Sequence, residues 1–222
     1  AEDYQGLLVD SDDAAARSAY VEALDMNRRL LGKDHPEIAL NLSNLAFVLY
    51  RQGKREAGMD MLRDALEMRR RTLGSDHPDV AASATSLAYW LTDAGRYEEA
   101  SALVEESLAI REKALGREHP QFAGTLSVKA NLMLATRRYQ EARDLATKAR
   151  SILRLSLPDD HWQVAAALNT EGAALAKLGA VFAPLSARLG ADEARSVLRT
   201  ARPALVVADR ERSEIADALA KA

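Results

Sequence analysis

The sequence predicts an all-α solenoid of stacked helix-turn-helix units, and three observations carry that prediction. A phrase recurs four times at an interval of 42 residues: Leu31-Gly32-Lys33-Asp34-His35-Pro36, Leu73-Gly74-Ser75-Asp76-His77-Pro78, Leu115-Gly116-Arg117-Glu118-His119-Pro120 and, in altered form, Leu157-Pro158-Asp159-Asp160-His161-Trp162. A period of that size marks a repeat array, in which each supersecondary unit buries its apolar face only against its neighbours. A second punctuation keeps the same interval at Gly53, Gly95 and Gly179, with Arg137 in the equivalent slot. Composition agrees, since 48% of residues are hydrophobic but only 5% aromatic, and abundant alanine lets helices approach closely.

Each unit then follows in order. Gly32, Gly74 and Gly116 close an amphipathic helix, where a residue able to take positive φ is wanted. Asp34, Asp76, Glu118 and Asp160 are expected to supply acceptors at the next helix N-terminus. Pro36, Pro78 and Pro120 suit its first turn, where the missing N–H costs nothing. The first helix of each unit, helix A, is thus expected to start near 36, 78, 120 and 162. Helix B should run from about Arg55 to Thr72, Tyr97 to Ala114 and Tyr139 to Ser156. Arginines such as Arg28, Arg29, Arg69, Arg70, Arg71 and Arg111 crowd the helix B ends, as the macrodipole favours.

Small residues recur where helices must cross: Ala46, Ala88, Ala130 and Gly172 in helix A, then Gly58, Ala100 and Ala142, and Ala65, Ser107 and Ala149, in helix B. Counted from Ala39 as position 1, these are positions 8, 20 and 27, the signature of the tetratricopeptide repeat. The 42-residue unit, with Leu-Gly-x-[Asp/Glu]-His-Pro between units, resembles the kinesin light chain type. So do Asn41-Leu42-Ser43-Asn44-Leu45-Ala46, Gly95-Arg96-Tyr97-Glu98-Glu99-Ala100 and Ser107-Leu108-Ala109-Ile110-Arg111-Glu112-Lys113. The resemblance covers about residues 12–179 and implies a right-handed α-solenoid of four to five repeats. One domain is expected over 1–222, with units near 1–34, 35–76, 77–118, 119–160 and 161–212 and a terminal helix at 213–222. The leading unit should hold a short helix A at Tyr4–Val9 and a helix B at Asp12–Leu31, with Ala16 and Ala23 in the small positions. An insertion of about ten residues is expected near 180–190, where the spacing of Phe182, Leu185 and Leu189 is that of one packed helical face. The chain opens on Ala1, inside a repeat, and reads as a piece of a longer protein.

Charge and chemistry narrow the function. Lys+Arg 30 against Asp+Glu 33 leaves a net charge of -3, with no basic excess to suggest nucleic acid. No apolar run reaches the ~18 residues needed to span a bilayer. Without cysteine, disulfides and thiolate metal sites are excluded. The four histidines all sit in the turn phrase, about 15–20 Å apart if two helices separate them. They cannot converge on a metal and are expected to serve helix A starts. With no phosphate loop, nucleophile elbow or helical zinc motif, no enzymatic activity, metal or cofactor is expected. Carboxylate pairs such as Glu98–Glu99 and Glu105–Glu106 suit a solvated outer face.

The helix A stretches hold 7 charged residues in 64, against 63 in 222 for the whole chain, so helix A is buried or lines an uncharged surface. In the tetratricopeptide fold, helix A lines the concave wall. The resemblance therefore implies a groove for a peptide or helical segment of a partner, lined by Asn44, Phe47, Tyr50, Arg51, Thr85, Ser86, Tyr89, Ser127, Asn131 and Asn169. Asparagines can bond a peptide backbone in both senses, and aromatics offer anchoring area. The paired Lys and Asn of chaperone-binding members is broken here by Ser43, Ser86 and Val128. The expected function is a cytoplasmic protein–protein interaction scaffold, with no nucleic acid or membrane partner. The alternative is a regulatory or sensor module of a larger kinase, protease or nucleotidase, the partner then being another domain of the same protein. Lys129 and Glu171, 42 apart on helix A, are expected to pair or to reach solvent at the helix edge. Trp162, standing where earlier units have proline, should be exposed at a turn.

Overall fold

The computed structural model describes residues 2–178, with side chains from Ala14 onward. The expected insertion at 180–190 and helix at 213–222 lie outside the described residues. Within them, eight helices follow one another without strands: α1 (Glu2–Leu31), α2 (Pro36–Arg51), α3 (Arg55–Leu73), α4 (Pro78–Asp93), α5 (Tyr97–Leu115), α6 (Pro120–Ala135), α7 (Tyr139–Ser156) and α8 (Trp162–Lys177). The pairs α2–α3, α4–α5 and α6–α7 are complete units, and α8 is the helix A that follows. The helices form an all-α repeat solenoid.

Local chemistry sets every boundary. Each helix A begins after a histidine in extended conformation, whose Nδ1 accepts the backbone N–H two residues on. The four bonds are His35 from Glu37 at 3.2 Å, His77 from Asp79 at 3.1 Å, His119 from Gln121 at 3.1 Å and His161 from Gln163 at 3.3 Å. The histidines, rather than the preceding acidic residues, are the N-caps. Asp34 instead binds Arg71 at 2.8 Å, and Asp76 binds Lys113, near the end of the following helix B in each case. These two pairs tie the first two turns to the helix B that follows each.

Helix A ends in a Schellman turn. In α2 the Lys54 N–H reaches the Leu49 carbonyl at 2.9 Å and the Gly53 N–H reaches that of Tyr50 at 3.1 Å. Arg137 takes the same left-handed place at φ 64, at a cost of about 1–2 kcal/mol relative to glycine. Helix B closes differently. Gly74 has φ 88 and ψ 152, a combination open essentially to glycine alone. At the fourth junction Pro158 excludes that conformation, and α7 ends instead at an extended Leu157.

Packing follows the small positions. Ala46, Ala88, Ala130, Ala100, Ala142, Ala65, Ser107 and Ala149 are fully enclosed. At the closest crossing, a Cβ on Gly58 would stand 2.8 Å from the Ala46 carbonyl oxygen, so the backbones themselves are in contact. One apolar core runs from Ala46 to Ala174, and a second, around Leu24, Ile38, Leu42 and Met68, joins α1 to α2 and α3.

Two arginines read as macrodipole partners are instead packed between units. Arg69 donates to the Ser83 hydroxyl. Arg111, 42 residues later, donates to Thr125 Oγ1 and to the Gln121 carbonyl, both at 2.6 Å, and burial pulls its guanidinium down to about 10. Ser107 serves as more than a small residue there: its hydroxyl reaches the Ala81 carbonyl at 3.0 Å and Thr85 at 2.7 Å. In the next unit the Arg111 register holds Leu153, buried and apolar.

The leading unit departs from expectation. Residues 2–31 form one continuous helix, without a separate helix A at Tyr4–Val9. The register of Gly53 falls on Ser11, which lacks the glycine that turns the chain in later units. Lys129 and Glu171 also depart from both expectations. Lys129 binds Glu105 at 2.6 Å, and Glu171 is buried against Arg150 at 3.0 Å, so each pairs with a neighbouring helix B.

Candidate partner-binding wall

Helices α4 and α6, and α6 and α8, lie side by side, while the helices B stand behind them. The helical repeat of 3.6 puts positions 2, 6, 9 and 13 of each helix A on the side away from helix B. In α2 these are Leu40, Asn44, Phe47 and Arg51; in α4, Ala82, Ser86, Tyr89 and Asp93. In α6 they are Gly124, Val128, Asn131 and Ala135; in α8, Ala166, Thr170, Ala173 and Lys177. The wall is therefore knobbed at its first two helices and smooth at its last two.

Phe47 and Tyr89 occupy the same position on α2 and α4 and are 53% and 50% exposed. Behind them, Tyr50 and Trp90 stack with ring centroids 4.4 Å apart and planes 13° from parallel. The Tyr50 hydroxyl donates to Asp93 Oδ2 at 2.7 Å, Arg55 binds the same oxygen at 2.8 Å, and the Arg55 guanidinium lies 5.5 Å from the Tyr50 ring centroid. Burial first, and then the hydrogen bond to Asp93, push the Tyr50 phenol up to about 12. This cluster pins α2 to α4 and holds the register of the two exposed rings.

The other residues of the expected set divide. Asn44 is half-buried between Leu40 and Phe47, and Arg51, Ser86 and Asn169 are exposed. Thr85 turns inward to Ser107 at 2.7 Å and Thr125 at 3.3 Å, in the seam between units. Asn131 Oδ1 accepts from the Thr170 hydroxyl at 2.7 Å and links α6 to α8. Ser127 and Ser86 bond the carbonyls of their own helices, at Ala123 and Ala82. Tyr50, Thr85 and Asn131 thus hold helices together; Phe47, Tyr89 and Ser86 face outward on the wall with Asn44 half-buried beside them, and Asn169 is exposed at the register of Thr85.

Three of the charged residues on helix A are paired with helix B. Asp93 is matched by Arg55, Lys129 by Glu105 and Glu171 by Arg150. Reasoning from sequence missed the Tyr50–Trp90–Asp93–Arg55 cluster, because its members belong to different registers of two units. The buried arginine seam was visible in principle: Arg69 and Arg111 are 42 apart, and each precedes its hydroxyl partner, Ser83 or Thr125, by 14. Among the described residues no group of histidines and carboxylates could hold a metal ion, and no helix is long and apolar enough to cross a membrane.

The tetratricopeptide-repeat family matches over residues 8–71 and again over 37–113. Residues 8–113 are matched as tetratricopeptide repeats. The solenoid agrees in fold with a protein of Podosopora anserina described as a putative kinesin light chain with nearly identical TPR-like repeats. The likeness is 24% identity with a TM-score of 0.62, over 87% of each chain; a form of that protein carrying one substitution gives 0.63 over 87% and 86%. BtubC (BKLC) from P. vanneervenii is similar at 19% identity and a TM-score of 0.66, over 90% of this chain and 78% of that one. No curated protein matches the sequence. Tetratricopeptide repeats are in general protein–protein interaction modules, and typically non-catalytic.

Proposed function

We propose that the helix A wall is the binding site of this domain, taking a peptide or helical segment of a cytoplasmic partner protein. The observation that carries the reading is the pair of exposed rings, Phe47 and Tyr89, at one register of α2 and α4, two helices joined by the Tyr50–Trp90 stack. Aromatic anchors concentrate binding energy, because each offers a large contact area at the cost of only two side-chain torsions. Asn44 and Ser86 stand one turn before these rings and supply polar groups for a bound backbone. The charged residues at the wall positions are Arg51, Asp93 and Lys177, which form no cationic stripe of the kind a polyanion needs and so favour an uncharged or weakly charged segment.

Selection of random peptides displayed on phage against the full chain, followed by affinity measurement, tests the wall. Selected peptides should lose at least about tenfold in affinity for Phe47→Ala/Tyr89→Ala, a loss of about 1.4 kcal/mol or more. Affinity indifferent to that change, but lost on altering exposed helix B residues such as Ala102, would move the site to the opposite face.

A further inference from the structure

In a complete unit, helix B lies antiparallel against its own helix A. The contact runs along Gly58, Ala65 and Met68 in α3: the Gly58 backbone touches Ala46, and Met68 packs with Ile38 and Leu42. The same register in α1 falls on Ala16, Ala23 and Met26. There no helix A folds back from residues 2–11, because α1 runs straight through the register of the turn. Met26 is accordingly 52% exposed and Leu30 73%, whereas Met68, Ile110 and Ile152, which share the register of Met26, are buried.

The open face has a regular pattern. Ala16, Ala19, Ala23, Met26 and Leu30 follow at intervals of three and four, the spacing of a coiled-coil seam. Three of these residues are small and two are large, and they are segregated along the helix. Glu22 and Arg29 flank the seam on one side, seven residues apart.

We propose that this face is closed by the same face of a second copy of the chain, the two α1 helices running antiparallel about a twofold axis. Antiparallel is the sense in which helix A approaches helix B in every complete unit, so the second copy lies against α1 as helix A lies against helix B there. The register that sets Ala23 against Met26 of the second copy also sets Ala19 against its Leu30. Each large side chain then meets a small one. In the same register Glu22 lies opposite Arg29 of the second copy, and symmetry makes this pair twice. Parallel pairing would stack Met26 on Met26 and leave Glu22 facing Asn27, so shape and charge both select the antiparallel arrangement. Five seam positions make an interface at the small end of the specific range, so the association is concentration-dependent.

Sedimentation equilibrium of the full chain, from about 1 to about 100 μM, tests the pairing. The mass should rise from 24.2 kDa toward twice that value. Met26→Asp/Leu30→Asp should weaken association at least about tenfold without loss of helical circular dichroism, since both side chains face solvent in the single chain. Glu22→Arg and Arg29→Glu should each weaken it, and the two together should restore it. A monomer throughout, or a dimer indifferent to the aspartates, overturns the proposal. A dimer that the combined exchange leaves as weak as the single changes overturns the antiparallel register.

Discussion

The first and second halves of the helix A wall are built from the same repeat but present different surfaces. On α2 and α4 large side chains stand out, Leu40, Phe47 and Tyr89, supported by an aromatic stack and by Asp93 shared between Tyr50 and Arg55. On α6 and α8 the same positions hold Gly124, Ala166, Asn131 and Ala173, and the helices are joined by the Thr170–Asn131 hydrogen bond between side chains. The difference teaches that repeat register fixes where a side chain points but not what it is used for. One half offers anchoring knobs, and the other a smooth track on which a bound segment can lie close to the helices.

The largest expected effect comes from removing the support behind the knobs. Trp90→Ala should destabilise the domain by about 3–5 kcal/mol in denaturant unfolding, since it deletes a buried ring and its stack on Tyr50 together. A loss below about 1 kcal/mol would mean that the stack does not hold α2 to α4. The knobs come next. Phe47→Ala/Tyr89→Ala should cost a selected peptide about 2 kcal/mol or more, while Asn131→Ala/Asn169→Ala should cost less than about 1 kcal/mol. Equal losses from both halves, read by titration calorimetry, would erase the comparison.

Smaller effects test the frame common to both halves. Gly74→Val should cost about 1–3 kcal/mol because its φ and ψ are closed to β-branched residues. The same unfolding measurement serves, and no loss would show that the turn relaxes freely. Arg111→Leu should be neutral or stabilising by about 1 kcal/mol, since a buried, partly unpaired cation is replaced by the residue that stands at its register as Leu153. Tyr50→Phe should cost about 1 kcal/mol through its hydrogen bond to Asp93. Because the folded phenol is raised to about 12, its contribution is full below its ordinary pKa of about 10 and is lost as pH rises through the folded value. The stability gap between the wild type and Tyr50→Phe should therefore close with rising pH in that window.

The helices and their order were legible because most boundaries rest on local chemistry repeated at 42 residues: a histidine before helix A, a proline at the start of three of them, and glycines with positive φ at the turns. The leading unit was misread because a helix A needs a chain reversal, and Ser11 gives no reason for one. Trp162, expected at an exposed turn, is 71% exposed, since its place at the first helical turn leaves the ring outside the core. Contacts across units were the illegible part. Lys129 and Glu171 share a register and still find different partners, because each lies nearer to a helix B cation or carboxylate than to the other. Likewise, nothing in the sequence separates Phe47, which faces outward, from Tyr50, which is bound to Asp93 and Trp90.

Amide chemical-shift mapping with a selected peptide tests the central claim most directly. A bound segment on the wall should perturb α2 and α4 most strongly, at Asn44, Phe47, Ser86 and Tyr89, with a weaker trail through Asn131 and Asn169. Perturbations confined to α3, α5 and α7, with those wall residues silent, would contradict it.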